Sequence, residues 1–205
     1  NYELSTKNVA ALGYVSDNTT YKITFRYKIT KGQGDVDIKF RTAHKHNYFG
    51  LFTEYKEAQY RIYGGEVGAG WKKATVYLKT KFAAAGTGAL FMSFNPVVEG
   101  ETVIFIDSVL AEPVSANKCV AAFLDNDGAA GKYVVVNKGS NVPLPEAAPK
   151  AQFASFVGWY ADEACTVPYK GNSLANTGLT KLYSKWTPYS QKFDNYAYES
   201  VNTNQ

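Results

Sequence analysis

A strict two-residue alternation of apolar and polar side chains runs through Thr20–Lys31. Lysine, threonine or arginine separates each pair of apolar residues in the set Tyr21, Ile23, Phe25, Tyr27 and Ile29. Because successive side chains of a strand point to opposite faces, the pattern predicts a strand with one buried and one solvated face. Val36, Ile38 and Phe40 alternate in the same way, and the turn at 31–34 predicts that the two strands form a hairpin.

Strand-forming residues dominate the rest of the first half. Tyr, Phe and Trp make up 15% of the 205 residues, a composition that favours strands. Residues 101–111 are apolar on both faces, which predicts a central strand. Together with the Gly-rich turns, these strands predict a β-sandwich that ends near residue 115. The remaining strands are predicted at 47–53, 58–63, 71–80 and 88–95.

A second, smaller unit follows the polar connector at 112–117. A turn is predicted at 125–128 and a helical turn near 162–165, and the sequence becomes polar after residue 187. Its strands are predicted at 119–124, 132–136, 156–160 and 181–186.

Charge and cysteine content exclude some partners and leave one question open. The net charge is +4 with scattered basic residues, whereas a nucleic-acid surface needs clustered ones. No run approaches the roughly 18 apolar residues that cross a bilayer, so no membrane partner is predicted. Cys119 and Cys165 either form one disulfide in an extracellular protein or are two small buried residues. No signal segment opens the chain, and we expect it to be a fragment of a larger protein.

One segment of the second unit carries a recognisable motif. Residues 153–186 read FASFVGWYADEACTVPYKGNSLANTGLTKLYSKW, and the motif residues are Phe156, Gly158, Trp159, Tyr160, Leu182, Tyr183, Lys185 and Trp186. In the order and spacing of these eight residues, the unit resembles the Listeria–Bacteroides repeat of bacterial surface proteins. The resemblance implies a small β-grasp-like α+β module over 118–187. It also implies a secreted or wall-attached protein, extracellular or on a bacterial cell surface.

Three strand-like segments of the first half form a second pattern: TYKITFRYKI at 20–29, GWKKATVYLKT at 70–80 and VIFIDSVLAE at 103–112. In these segments the first half resembles a carbohydrate-binding-module-type jelly roll. The resemblance implies a jelly-roll β-sandwich over 1–115 that binds a glycan. It also implies a structural calcium ion with Asp107 as a candidate ligand, and no other cofactor is predicted.

The candidate ligand-binding segment is 42–63, where the alternation breaks. It is rich in tyrosine and contains both histidines, and the candidate contact residues are Arg41, His44, His46, Tyr48, Tyr55 and Tyr60. His44 and His46 fall on one side of a strand, but no third metal ligand stands nearby and Arg41 and Lys45 disfavour a cation. The alternation around Trp71, Trp159 and Trp186 predicts that all three pack in the core.

No catalytic arrangement is visible, so the chain is predicted not to be an enzyme. The only histidines lie in a charged strand-loop segment, and the Gly-rich stretch at 64–70 precedes a strand rather than a helix. The chain is therefore interpreted as a non-catalytic module pair that binds a glycan or a host or cell-surface protein. The alternatives are a structural spacer without a ligand and, third, a fragment of a glycoside hydrolase.

The tail at 188–205 resembles the opening strand of a following jelly roll. That strand is missing from the start of the first module, which predicts an unpaired sheet edge. Residues 191–200, with Phe193 and Tyr196 as apolar anchors, are the predicted donor strand. Such donation would join molecules head to tail or fold the tail back, and a disordered tail is the alternative.

Overall fold

Twelve strands and no α-helix make up the described part of the chain. The structure, a computed structural model, describes residues 9–32, 35–46, 51–62, 66–82, 86–96, 101–124, 130–146, 154–175 and 178–188. The predicted turn at 125–128, Tyr48 and the predicted donor strand at 191–200 lie outside these residues. The prediction of a mostly β fold is confirmed. The strands are β1 Val9–Ser16, β2 Thr20–Lys31, β3 Val36–His46, β4 Leu51–Ile62, β5 Lys72–Lys79, β6 Thr87–Pro96, β7 Val103–Pro113, β8 Lys118–Leu124, β9 Ala130–Asn137, β10 Ala154–Tyr160, β11 Pro168–Tyr169 and β12 Gly178–Pro188.

The first seven strands form a β-sandwich, as the alternation predicts. One sheet has the order β1-β6-β3-β4 and the other β5-β2-β7. All five alternating apolar residues of β2 are buried between the sheets. The Phe25 ring of one sheet meets the Phe40 ring of the other at a centroid distance of 5.5 Å. The core therefore lies where the two apolar faces meet.

The predicted hairpin between β2 and β3 is wrong. β2 pairs with β5 and β7, whereas β3 pairs with β4 and β6 in the opposite sheet. Both strands carry a continuous apolar face, and placing them in opposite sheets buries the two faces against each other. The two strands therefore lie in different layers of the sandwich.

Two further strand predictions need correction. The segment at 101–111 is β7, which lies at the edge of its sheet among the described strands, and its Leu110 is 52% exposed. The second apolar face of β7 contributes to the outer surface of the sandwich rather than to a second core. The described parts of the separately predicted strands at 47–53 and 58–63 are joined in the single edge strand β4, Leu51–Ile62, because the polar residues between them still pair with β3.

The second unit is a five-stranded mixed sheet with the order β11-β10-β12-β8-β9. β8 and β12 lie parallel at its centre, from the pair Cys119–Gly178 to the pair Leu124–Tyr183, and its other strand pairs are antiparallel. Its core includes Phe123 and Trp159, whose rings meet edge to face at 4.7 Å. This mixed sheet occupies the predicted β-grasp-like module at 118–187, but its described residues lack the α component of the predicted α+β module.

The helical and disulfide predictions for the second unit have clear outcomes. The segment near 162–165 is a single turn in which the Cys165 N–H donates to the Asp162 carbonyl at 3.1 Å. The described residues of this unit, 118–124, 130–146, 154–175 and 178–188, contain no helix. Cys119 and Cys165 form no disulfide. Cys119 is buried, and Cys165 is partly exposed at the turn.

The two units pack against each other at one end of the β5-β2-β7 sheet. Tyr77 of β5 meets Tyr133 of β9 at a ring distance of 5.0 Å. Gly178, at the start of β12, has φ of +98°, and a Cβ placed there would lie 2.8 Å from Thr20 Oγ1. Because Thr20 and Tyr77 lie near the same end of the sheet, the second unit contacts that end, whereas side chains at the opposite end remain exposed.

Candidate ligand-binding site

Trp71 lies on the outer face of the β5-β2-β7 sheet and is 41% exposed. The prediction that it packs in the core is therefore wrong, whereas Trp159 is buried as predicted. The reason is the alternation of side chains along a strand. Ala74, Val76 and Leu78 of β5 are buried inside the sandwich, so Trp71, an odd number of residues before Ala74, falls on the opposite face. The alternation in the sequence shows that Trp71 and Ala74 lie on opposite faces of the strand. It does not show which of the two faces is covered by the other sheet.

Two basic side chains of β2 flank the Trp71 ring. The Arg26 guanidinium carbon lies 5.1 Å from the ring centroid, and the Lys28 Nζ lies 5.4 Å from it. Lys28 Nζ also lies 5.3 Å from the centroid of Phe105 in β7. The ammonium group is thus held between two aromatic rings, whose negative faces attract it without neutralising its charge.

Asp107 lies beside this group, opposite Arg26 in the register of β2 and β7. Its carboxylate is 3.5 Å from the Arg26 guanidinium, and both side chains are about half exposed, at 50% and 48%. An ion pair this open to solvent contributes little to stability, so both groups remain accessible to a ligand. Among the described residues, no three His, Cys, Asp or Glu side chains are grouped to hold a metal. The calcium role of Asp107 stays a prediction.

The loop that precedes β5 is fixed by a hydrogen-bonded anchor around Glu66. The Tyr27 hydroxyl donates to Glu66, whose carboxylate also lies 3.2 Å from Lys72 Nζ. The Gly68 N–H donates to the Ile29 carbonyl at 3.0 Å. Gly68 and Gly70 have φ near +80°, which glycine adopts at little cost, so the chain turns sharply just before Trp71. The anchor therefore holds the indole in one place.

Burial keeps the Tyr27 hydroxyl protonated in this anchor. It raises the pKa of Tyr27 well above its ordinary value, and hydrogen bonds to Glu66 and Tyr60 act in the same direction. The hydroxyl therefore remains a donor to Glu66 throughout the neutral pH range.

Arg41 and the residues predicted from the segment at 42–63, apart from Tyr48, lie on strands of the other sheet. Tyr60 is half-buried and packs against the core. Its ring meets Phe25 edge-on at a centroid distance of 5.7 Å, and its hydroxyl lies 3.3 Å from that of Tyr27. Arg41 is half-buried in β3. The backbone register places His44 opposite Thr53, His46 opposite Leu51 and Tyr55 opposite Thr42.

These five predicted residues therefore lie on the neighbouring strands β3 and β4, and none of them contacts Trp71 through a described side chain. A ligand role for this group stays a prediction.

Comparisons with known proteins find little similarity in sequence. No family model matches the chain, and no curated protein matches it. Among solved structures, the chain is similar to one described as "Family 16 Carbohydrate Binding Module-2", with 17% identity and a TM-score of 0.32. The alignment covers 54% of this chain and 74% of that one.

No helix in the described residues is long and apolar enough to cross a membrane.

Proposed function

We propose that this chain is a non-catalytic module pair of a bacterial cell-surface or secreted protein, and that it binds a glycan on the outer face of the β5-β2-β7 sheet. The observation that carries the proposal is the half-exposed indole of Trp71, fixed by the Glu66 anchor and flanked by polar side chains. A sugar ring has an apolar face that stacks on an aromatic ring and hydroxyl groups at its edge. Arg26 and Asp107 supply a donor and an acceptor for those hydroxyls.

Preorganisation favours this face as a binding surface. Trp71 loses little conformational freedom when a ligand binds, because the loop before it is already fixed by Glu66 and Gly68. The resemblance to the Listeria–Bacteroides repeat supports the cell-surface location of the proposal. The alternative partner for this face is a host or cell-surface protein.

The test is a glycan array followed by affinity measurements on the glycan that binds. Replacing Trp71 by alanine removes the stacking surface, and we expect an affinity loss of roughly fivefold, since an aromatic contact of this kind contributes about 1 kcal/mol. Tyr14→Ala is the matched control, because Tyr14 is 82% exposed on β1 in the other sheet. Equal affinities for the Trp71→Ala variant and the parent would contradict the proposal.

A structural spacer is the second candidate function. The Tyr77–Tyr133 contact and the close approach of Gly178 to Thr20 favour it, because they hold the two units in a defined arrangement. If neither an array nor a pull-down with the parent chain retains a ligand, the spacer function is supported. A variant carrying Tyr48→Ala and Tyr55→Ala separates binding through the segment at 42–63 from binding at Trp71.

A further inference from the structure

We infer that the glycan bound at Trp71 is acidic, with carboxylate or sulfate groups on its sugars, and that Lys28 recognises the negative charge. This inference rests on the proposed function and names the class of its ligand. It follows from the charges around Trp71 rather than from the aromatic ring alone.

Lys28 is a cation that no described carboxylate neutralises. Its Nζ lies between the rings of Trp71 and Phe105, and it forms no salt bridge with any residue that the structure describes. Lys31 and Lys72 of the same sandwich differ from Lys28, because Lys31 pairs with Glu101 and Lys72 pairs with Glu66. The aromatic rings position the ammonium group and leave its charge available to a ligand.

The open end of the sheet is positive as a whole. Arg26 lies opposite Lys73 of β5 on one side and opposite Asp107 of β7 on the other. Like charges opposite each other on neighbouring strands repel. With Lys28 included, three cations face one carboxylate around the exposed indole, and a bound anion relieves this repulsion.

An acidic sugar fits both parts of this surface. Its ring can stack on the exposed part of the Trp71 indole while its carboxylate or sulfate accepts hydrogen bonds from Lys28 Nζ. Such charge-assisted bonds are stronger than the bonds that neutral hydroxyls make. The cations therefore act as specificity-determining residues, and the indole supplies the general affinity for sugars.

Four polysaccharides in two matched pairs test the inference. Polygalacturonate and its methyl-esterified form differ in the carboxylate charge, and dextran sulfate and dextran differ in the sulfate charge. The variants are Lys28→Met, which keeps an unbranched apolar stem, Arg26→Gln and Trp71→Ala. Lys31→Met is the control, because it removes the same charge from the same strand at a residue paired with Glu101.

We expect the parent chain to bind at least one acidic polysaccharide about tenfold or more tightly than its neutral partner, the size of effect of one charged hydrogen bond. The pair that shows the preference identifies carboxylate or sulfate as the recognised group. Lys28→Met should remove most of the preference, Lys31→Met should keep it, and salt at about 0.5 M should weaken it by screening the charges.

Three results would overturn the inference. In the first, the neutral and acidic forms bind equally. In the second, Lys28→Met keeps the preference. In the third, Lys31→Met loses as much as Lys28→Met, which shows a general attraction of polyanions to a positive chain. Equal binding of the neutral and acidic forms that depends on Trp71 leaves the proposed function standing and overturns only the inference, whereas no Trp71-dependent binding to any glycan refutes both.

Discussion

Two buried threonines of the sandwich differ in how their hydroxyl groups are satisfied. Thr80 Oγ1 accepts a hydrogen bond from the Thr19 N–H at 2.9 Å and donates to the Ser16 carbonyl at 2.7 Å. Thr20 Oγ1 is buried at the contact with Gly178 and has no hydrogen-bond partner in the part of the chain that the structure describes. A buried polar atom without a partner costs free energy, whereas a satisfied one stabilises the fold.

Valine, which has the shape of threonine without the hydroxyl, should therefore have opposite effects at the two positions. We expect Thr20→Val to raise the free energy of unfolding by about 1 kcal/mol and Thr80→Val to lower it by about 1–3 kcal/mol. Urea denaturation of each variant beside the parent chain measures both values. A loss of stability in Thr20→Val as large as that in Thr80→Val would show that the Thr20 hydroxyl is satisfied in solution.

At the level of elements, the sequence predicts strands well and their partners poorly. The alternation in β2 identifies the strand and its buried face from neighbouring residues alone. Which sheet each strand joins depends on contacts between residues of different strands, such as the contact of Phe25 in β2 with Phe40 in the opposite sheet. The alternation within one strand does not contain this information, and the hairpin prediction is wrong for that reason. The parallel pairing of β8 with β12 joins residues about 60 positions apart and has no local signal.

The candidate site was missed for a related reason. The ligand-binding site is predicted in an irregular segment rich in tyrosine, yet Tyr60 from that segment packs on Phe25 in the core. Trp71, in a regular strand pattern, was assigned to the core although it lies on the outer face. Alternation separates the two faces of a strand, but only the packing of whole sheets decides which face is covered.

The Glu66 anchor gives the loop before β5 a role that a single variant can test. Glu66→Gln removes the ion pair with Lys72 and weakens the bond from Tyr27. We expect the free energy of unfolding to fall by about 1–2 kcal/mol and the affinity of the Trp71 face for its glycan to fall with it, because the indole becomes less well fixed.

Glu101→Gln is the control for this change, because the Lys31–Glu101 pair is exposed and its loss should cost no more than roughly 0.5 kcal/mol. Denaturation curves and glycan affinities of the two variants are compared directly. A Glu66→Gln variant that matches Glu101→Gln in both measurements would rule out the anchor.

For the whole molecule, the contact between the two units makes the free energy of unfolding depend on pH in the alkaline range. Burial raises the pKa of Tyr133 to about 12, and it also raises the pKa of Tyr77, whose ring packs against it. In the unfolded chain, a tyrosine ionises near its ordinary pKa of about 10. The unfolded state therefore loses its proton first, and stability falls as the pH rises from about 10 to 12.

Tyr133→Phe keeps the ring and removes this titration. We expect its free energy of unfolding to fall less steeply between about pH 10 and 12 than that of the parent chain, with part of the decline remaining because Tyr27 is also buried. Urea denaturation at a series of pH values measures the two slopes. Tyr14→Phe, at an exposed position, serves as the control, and equal slopes for Tyr133→Phe and the parent would exclude the effect.

The parallel pairing at the centre of the second unit also determines how that unit carries mechanical load. The chain begins β8 at Lys118 and finishes β12 at Pro188, and because the two strands run in the same direction these points lie at opposite ends of the sheet. Tension applied between them acts along the strands. It therefore shears the backbone bonds along all six paired positions together, instead of opening them one after another from an end.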